Sequence, residues 1–114
     1  MDNRYFNILE HATGRLLLKR PGYEIDMELV VKQARSRGCF FEINSSPDRL
    51  DLSAENARIA RESGVKVAIT TDAHSVREFR YLRYGVDQVR RAGFQKESIL
   101  NHLSWPELRE HFKT

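Results

Sequence analysis

One cysteine, three prolines and one tryptophan among 114 residues remove several classes of protein at the outset. A lone Cys39 can form no intrachain disulfide and cannot build a cysteine-rich zinc site, so any metal must be held by His, Asp or Glu. A single thiol also fits a reducing compartment. Long apolar runs are missing too: none approaches the roughly 20 residues that cross a bilayer, and the N-terminus has no signal-peptide apolar core. A cytoplasmic protein that engages no membrane is expected. No Pro/Ser-rich linker or low-complexity stretch interrupts the chain, whose length suits one small domain and is too short for two well-packed ones. Charge of one sign is in small excess, with 19 Lys and Arg against 16 Asp and Glu and a formal net charge of +3. Such a balance tolerates an anionic partner without demanding one. Apolar residues at 40% and charged residues at 31% are ordinary globular usage and predict a folded chain.

Two segments share one pattern of helix, glycine and strand. In the first, Met27, Val30, Val31 and Ala34 recur at the spacing that lines one helical face, Asp26 stands where an N-cap belongs, and Gly38 stands where the helix must stop. The strand Cys39 to Ile43 follows. In the second, Ser53 precedes a weaker stripe of Ala54, Ala57, Ile59 and Ala60, Gly64 closes it, and Val65 to Ile69 reads as strand. An earlier strand is expected at Tyr5 to Leu9, with a long loop through Pro21 and Gly22, and helical segments are expected around Val76 to Tyr81, Val86 to Ala92, Glu97 to Leu103 and Pro106 to Phe112. Strands alternating with helices predict an α/β fold with parallel βα units. Trp105 and Phe112 are expected to clamp the terminal helices onto the body, and His102 and His111 to lie on the surface.

In parallel α/β proteins reactive side chains gather just beyond the C-terminal ends of strands. His11 follows the first strand, Asn44 the second, and Asp72 with His74 the third. In extended backbone, residues two apart project to one side, so Asp72 and His74 can approach one ion together; a capping Asp and a surface His are the ordinary alternative. A carboxylate with imidazoles suits Zn²⁺, Mn²⁺ or Fe²⁺ without choosing among them. Arg15, Lys19 and Arg20 crowd the loop after His11, where they can neutralise phosphate oxygens or simply be solvated. Glu42 lies in an apolar strand on the same face as Asn44, and a structural hydrogen bond is the expected outlet for its charge. Cys39 has no cation or histidine beside it in sequence, which predicts a buried, inert thiol.

The strings Glu10-His11-Ala12-Thr13-Gly14-Arg15-Leu16-Leu17-Leu18, Leu50-Asp51-Leu52, Thr71-Asp72-Ala73-His74-Ser75 and Arg83-Tyr84-Gly85-Val86 together resemble the C-terminal stretch of the PHP (polymerase and histidinol phosphatase) domain of bacterial family X DNA polymerases. The likeness runs from about His11 to the end, with Ala12 where the family usually has Pro. It implies the C-terminal part of a distorted seven-stranded, TIM-like barrel, residues 1–114 forming one partial PHP domain without polymerase or helix-hairpin-helix regions. It implies a trinuclear cluster of divalent Mn or Zn in the complete domain, with His11, Asp72 and His74 among its ligands and no catalytic residue beyond the ligands. Arg15, Lys19, Arg20 and Asn44 are the candidate substrate-binding residues, by position. The implied activity is phosphodiester hydrolysis as a 3′–5′ exonuclease in DNA repair, with DNA reached through a parent protein and the fragment alone inactive. A histidinol-phosphatase-like small-molecule phosphatase and a non-catalytic PHP scaffold are the alternatives. An incomplete barrel exposes strand edges and apolar faces, which predicts self-association.

Overall fold

The computed structural model describes residues 1–113. The elements run β1 (Ile8–Leu9), α1 (Met27–Arg37), β2 (Phe40–Asn44), α2 (Ala54–Glu62), β3 (Val67–Thr70), a 3₁₀ helix (Val76–Tyr81), α3 (Leu82–Arg91), two short 3₁₀ turns and α4 (Trp105–His111). Among the described residues the sheet holds three strands in the order β1-β2-β3, all parallel. The α/β reading of the sequence therefore holds. No helix among the described residues is long and apolar enough to cross a membrane.

Three helices end by the same device. Gly38, Gly64 and Gly93 all have positive φ, which only glycine adopts without strain. The next residue then turns its N–H back into the helix: Cys39 to the Ala34 carbonyl, Val65 to Ala60 and Phe94 to Val89. The three residues so placed, Cys39, Val65 and Phe94, are all buried, supplying the apolar contact that accompanies this motif. Asp26 and Ser53 cap α1 and α2 through their side chains, as their sequence positions suggest. At α4 a capping box joins Ser104 and Glu107, and the Ser104 backbone and hydroxyl donors hold the Glu107 carboxyl below the usual carboxylate range.

Several expected bounds are corrected. The first strand is two residues long because Asn3 pulls the chain into a turn, its side chain accepting the Tyr5 N–H at 2.8 Å and its carbonyl the Phe6 N–H at 3.0 Å. The third strand starts at Val67 because Val65 is spent on closing α2. The helical segments expected at 76–81 and 97–103 are present as 3₁₀ helix. Trp105 clamps nothing, being 62% exposed, whereas His111 is half-buried with its ring 6.4 Å from that of Phe40.

Paired residues of parallel strands share a face, so the registers Phe41 with Val67 and Ile43 with Ile69 give the sheet one apolar side. These four residues form one core with Met27, Val31 and Ala34 of α1, Ala57 and Ala60 of α2, and Val89 of α3. Glu42, Asn44 and Thr70 occupy the opposite, polar side. The edges that invited the expectation of self-association are short or covered. β1 is very short, and β3 is closed by the Asn101 side chain, which accepts the Ile69 N–H at 2.7 Å and donates to the Ile69 carbonyl at 2.8 Å; both devices blunt strand pairing between molecules.

α3 approaches the sheet closely at Gly85, where a Cβ would meet Ser45 Oγ and lie 2.6 Å from Ile69 Cγ2. Gly85→Ala must push α3 away from β2 and β3, and a loss of about 1–3 kcal/mol is expected. Urea unfolding of the variant checks it: an unchanged midpoint would show that the helix has room to spare.

Candidate functional site at the strand ends

The three strand ends meet around one buried carboxylate. Glu42 is 6% exposed and accepts the His11 backbone N–H at 3.2 Å, the Thr70 hydroxyl at 2.8 Å and the Asn44 amide at 3.5 Å. Asn44 Nδ2 also donates to Asp72 Oδ2 at 3.2 Å, so a continuous polar chain links the ends of β1, β2 and β3. Arg49 Nε stands 3.9 Å from the same Asp72 oxygen. His11 Nδ1 lies 3.9 Å from Glu42 Oε1 and is buried without a hydrogen-bond partner.

His11 and Asp72 both adopt left-handed backbone, with φ of 48° and 53°. Such residues are uncommon outside glycine, and cluster where the surrounding structure over-determines them. At Asp72 this corrects the expected extended Asp-x-His arrangement. The chain turns at Asp72, and His74 Nδ1 comes 2.7 Å from the Asp72 carbonyl. A carbonyl only accepts, so Nδ1 is the donor here and Nε2 is the nitrogen left to face a ligand. A carbonyl-held imidazole of this kind is how metal-ligating histidines are oriented. His74 is exposed, and its N–H donates to Glu78 Oε2 at 2.5 Å.

His11, Asp72 and His74 thus sit along one rim, with Glu42 and Asn44 between the first two. Among the described residues no three His, Cys, Asp or Glu side chains converge as a group able to hold a metal ion. The basic loop divides. The Arg15 guanidinium donates to the carbonyls of Arg49 and Leu50, and Arg20 Nε to that of Gly14 at 3.1 Å. Both pin the loop, and Lys19 is exposed. Cys39 is buried as expected, but Lys113 Nζ comes within 3.2 Å of its sulfur, a cation that sequence neighbours did not reveal.

Sequence reasoning missed Asp51. Fully buried, it accepts the N–H groups of Thr13 and Gly14 at 3.1 and 3.0 Å, while Asn44 N–H donates to its carbonyl at 2.6 Å. It therefore ties the His11 loop to the end of β2. The signal in the sequence was an acid flanked by two leucines, a pattern that demands partners once buried.

No protein-family model matches the chain. Over 113 residues, 99% of the chain, it is 34% identical to the DNA polymerase/3′-5′ exonuclease PolX of Bacillus subtilis (strain 168), of which it spans 20%. Over 107 residues, 89% of the chain, it is 32% identical to a probable phosphatase of Thermoanaerobacter sp. (strain X514) and to another of Thermoanaerobacter pseudethanolicus, spanning 41% of each. The chain is thus a relative of PolX and of these probable phosphatases along nearly all its length while covering less than half of theirs, which supports the PHP-type phosphoesterase kinship drawn from its motifs.

Asp51→Ala leaves the Thr13 and Gly14 N–H groups buried and unpaired, and is expected to cost about 1–3 kcal/mol per group. Asp51→Asn keeps an acceptor and should cost less. Urea denaturation of the two variants tests this, and equal midpoints for Ala and Asn would remove Asp51 from its loop-holding role.

Proposed function

We propose that the chain contributes part of a PHP-type, metal-dependent phosphoesterase site, with His11, Asp72 and His74 as ligands for a divalent cation and a DNA 3′ end as the substrate of the whole protein. The observation that carries this reading is the arrangement of donors at the strand ends. His11 presents a buried ring nitrogen without a partner, Asp72 holds a carboxylate oriented by Asn44 and Arg49, and His74 is fixed by the Asp72 carbonyl with its other nitrogen free. Imidazole and carboxylate together suit Mn²⁺ or Zn²⁺. When bound, such an ion lowers the pKa of water and offsets charge on phosphoryl oxygens.

The polypeptide's own part is orientation. Glu42 holds the His11 backbone and faces its ring, Asn44 links Glu42 to Asp72, and Arg49 stands 3.9 Å from the Asp72 carboxylate to balance its charge. Arg15, Arg20 and Asn44 belong to this scaffold by their hydrogen bonds, and Lys19 is left to meet phosphate. Further ligands from outside this chain would complete a trinuclear site, in which the three strands form part of a closed barrel with their polar side inward. A cytoplasmic location follows from this reading. A small-molecule phosphatase is the second reading, favoured by the likeness to the probable phosphatases.

Calorimetric titration with Mn²⁺ is expected to show weak binding that Asp72→Ala reduces at least tenfold, second-partner losses alone being about 10–100-fold. Equal affinity in the two proteins would remove Asp72 from the ligand set. Release of nucleotides from a DNA 3′ end by the whole protein supports the exonuclease reading, and release of phosphate from a metabolite monoester supports the phosphatase.

A further inference from the structure

The segment leaving the candidate site repeats every three residues. From Val76 to Tyr84 the chain reads Val-Arg-Glu, Phe-Arg-Tyr, Leu-Arg-Tyr, and burial follows the same period: the first two residues of each triplet are exposed and the third is half-buried. Residues 76–81 form a 3₁₀ helix, in which side chains at i and i+3 eclipse each other, and the start of α3 extends the pattern by one triplet. The fold therefore converts a sequence repeat into rows. Val76, Phe79 and Leu82 make an apolar row, 83%, 64% and 43% exposed. Arg77, Arg80 and Arg83 make a basic row beside it. The inward row is anchored: Glu78 accepts the His74 N–H, and the Tyr81 and Tyr84 rings pack 6.1 Å apart.

Among the described residues none of the three arginines lies within ion-pair distance of a carboxylate. Arg80 is steered by a 3.0 Å hydrogen bond to the Arg77 carbonyl, and Arg83 lies over the Tyr84 ring at 5.0 Å. We propose that this ridge binds a single-stranded polynucleotide and delivers it to the rim at Asp72 and His74. The destination of the strand rests on the hydrolytic reading above; the binding surface does not. Phosphates supply the counter-charges that the guanidinium row lacks, and bases pack on Phe79 and its aliphatic neighbours, the combination by which proteins hold single strands without reading sequence. A protein partner docking on the apolar row would have to desolvate three arginines and provide carboxylates for each; a polynucleotide carries its anions in a row already.

The test is fluorescence anisotropy of a labelled oligothymidylate with the full chain and no added metal, over a range of salt. Phe79→Ala is expected to weaken binding by about 5- to 100-fold, the loss of one base-stacking contact. Arg77→Gln, Arg80→Gln and Arg83→Gln combined should reduce the slope of log affinity against log salt by about 2, at about 0.7 per single-strand phosphate. The same charge removed elsewhere, at Lys32, Arg35 and Lys96, should leave that slope in place. All these side chains are exposed, so circular dichroism is expected to match the parent. The proposal is overturned if the ridge variant behaves like the control variant, or if duplex binds better than single strand. It is equally overturned if light scattering shows a dimer that Phe79→Ala dissociates without change in oligonucleotide affinity, which would give the ridge to a second copy. Mn²⁺ titration of the triple-glutamine variant separates the two readings, since removing the ridge arginines should weaken oligonucleotide binding and leave the Mn²⁺ affinity of the parent unchanged.

Discussion

A carboxylate buried inside a sheet must have both oxygens satisfied, and at Glu42 the donors come from three different strands or the loops that follow them. Leaving such a group bare costs several kcal/mol, far more than a small domain can spare. Satisfying it fixes the end of β1 against β2 and β2 against β3, because each donor sits at a strand's C-terminal end. His11, Asn44 and Asp72 are held in place by the same network. Their relative positions are a consequence of hiding one negative charge, and the buried Asp51 grips the His11 loop through two backbone N–H groups that both donate to its Oδ2.

The helices serve this arrangement by staying on the other side. Phe41, Ile43, Val67 and Ile69 give α1, α2 and α3 an apolar surface to cover, and three glycine-terminated helix ends return the chain to the core with a buried residue each time. Gly85 lets α3 settle directly on Ser45 and Ile69, beside the segment that carries Asp72. The polar side of the sheet thereby faces away from that apolar core. The 3₁₀ helix after His74 belongs to the same economy: its tight three-residue period half-buries one side chain in three and offers the other two to solvent beside the rim.

How much of this was legible in the sequence depended on the range of the forces involved. The bounds of α1 and α2 were readable because Asp26, Ser53, Gly38 and Gly64 act within a turn of where they stand. The strands were readable as apolar runs, but their ends were not: Asn3 shortens β1 through a turn, and the closure of α2 consumes Val65. Strand-end placement made His11, Asn44, Asp72 and His74 candidates. Their conformations were hidden, since the left-handed φ of His11 and Asp72 accompanies hydrogen bonds to residues some thirty positions away. That Arg15 and Arg20 each hold a loop carbonyl was not legible either, because those acceptors are supplied by how the loop folds back on itself.

Sequence by itself determined the α/β class, the helices with their caps and stops, the exclusion of a disulfide within these residues and the polar residues that stand at the strand ends, all of which follow from local propensity, periodicity and composition. Tertiary structure alone decided that Glu42 is the hub, that Asp51 carries the His11 loop, that Lys113 meets Cys39, and that Trp105 stays in solvent. Those outcomes turn on which distant groups a buried charge or an unpaired N–H can reach, and that is settled only when the strands are side by side.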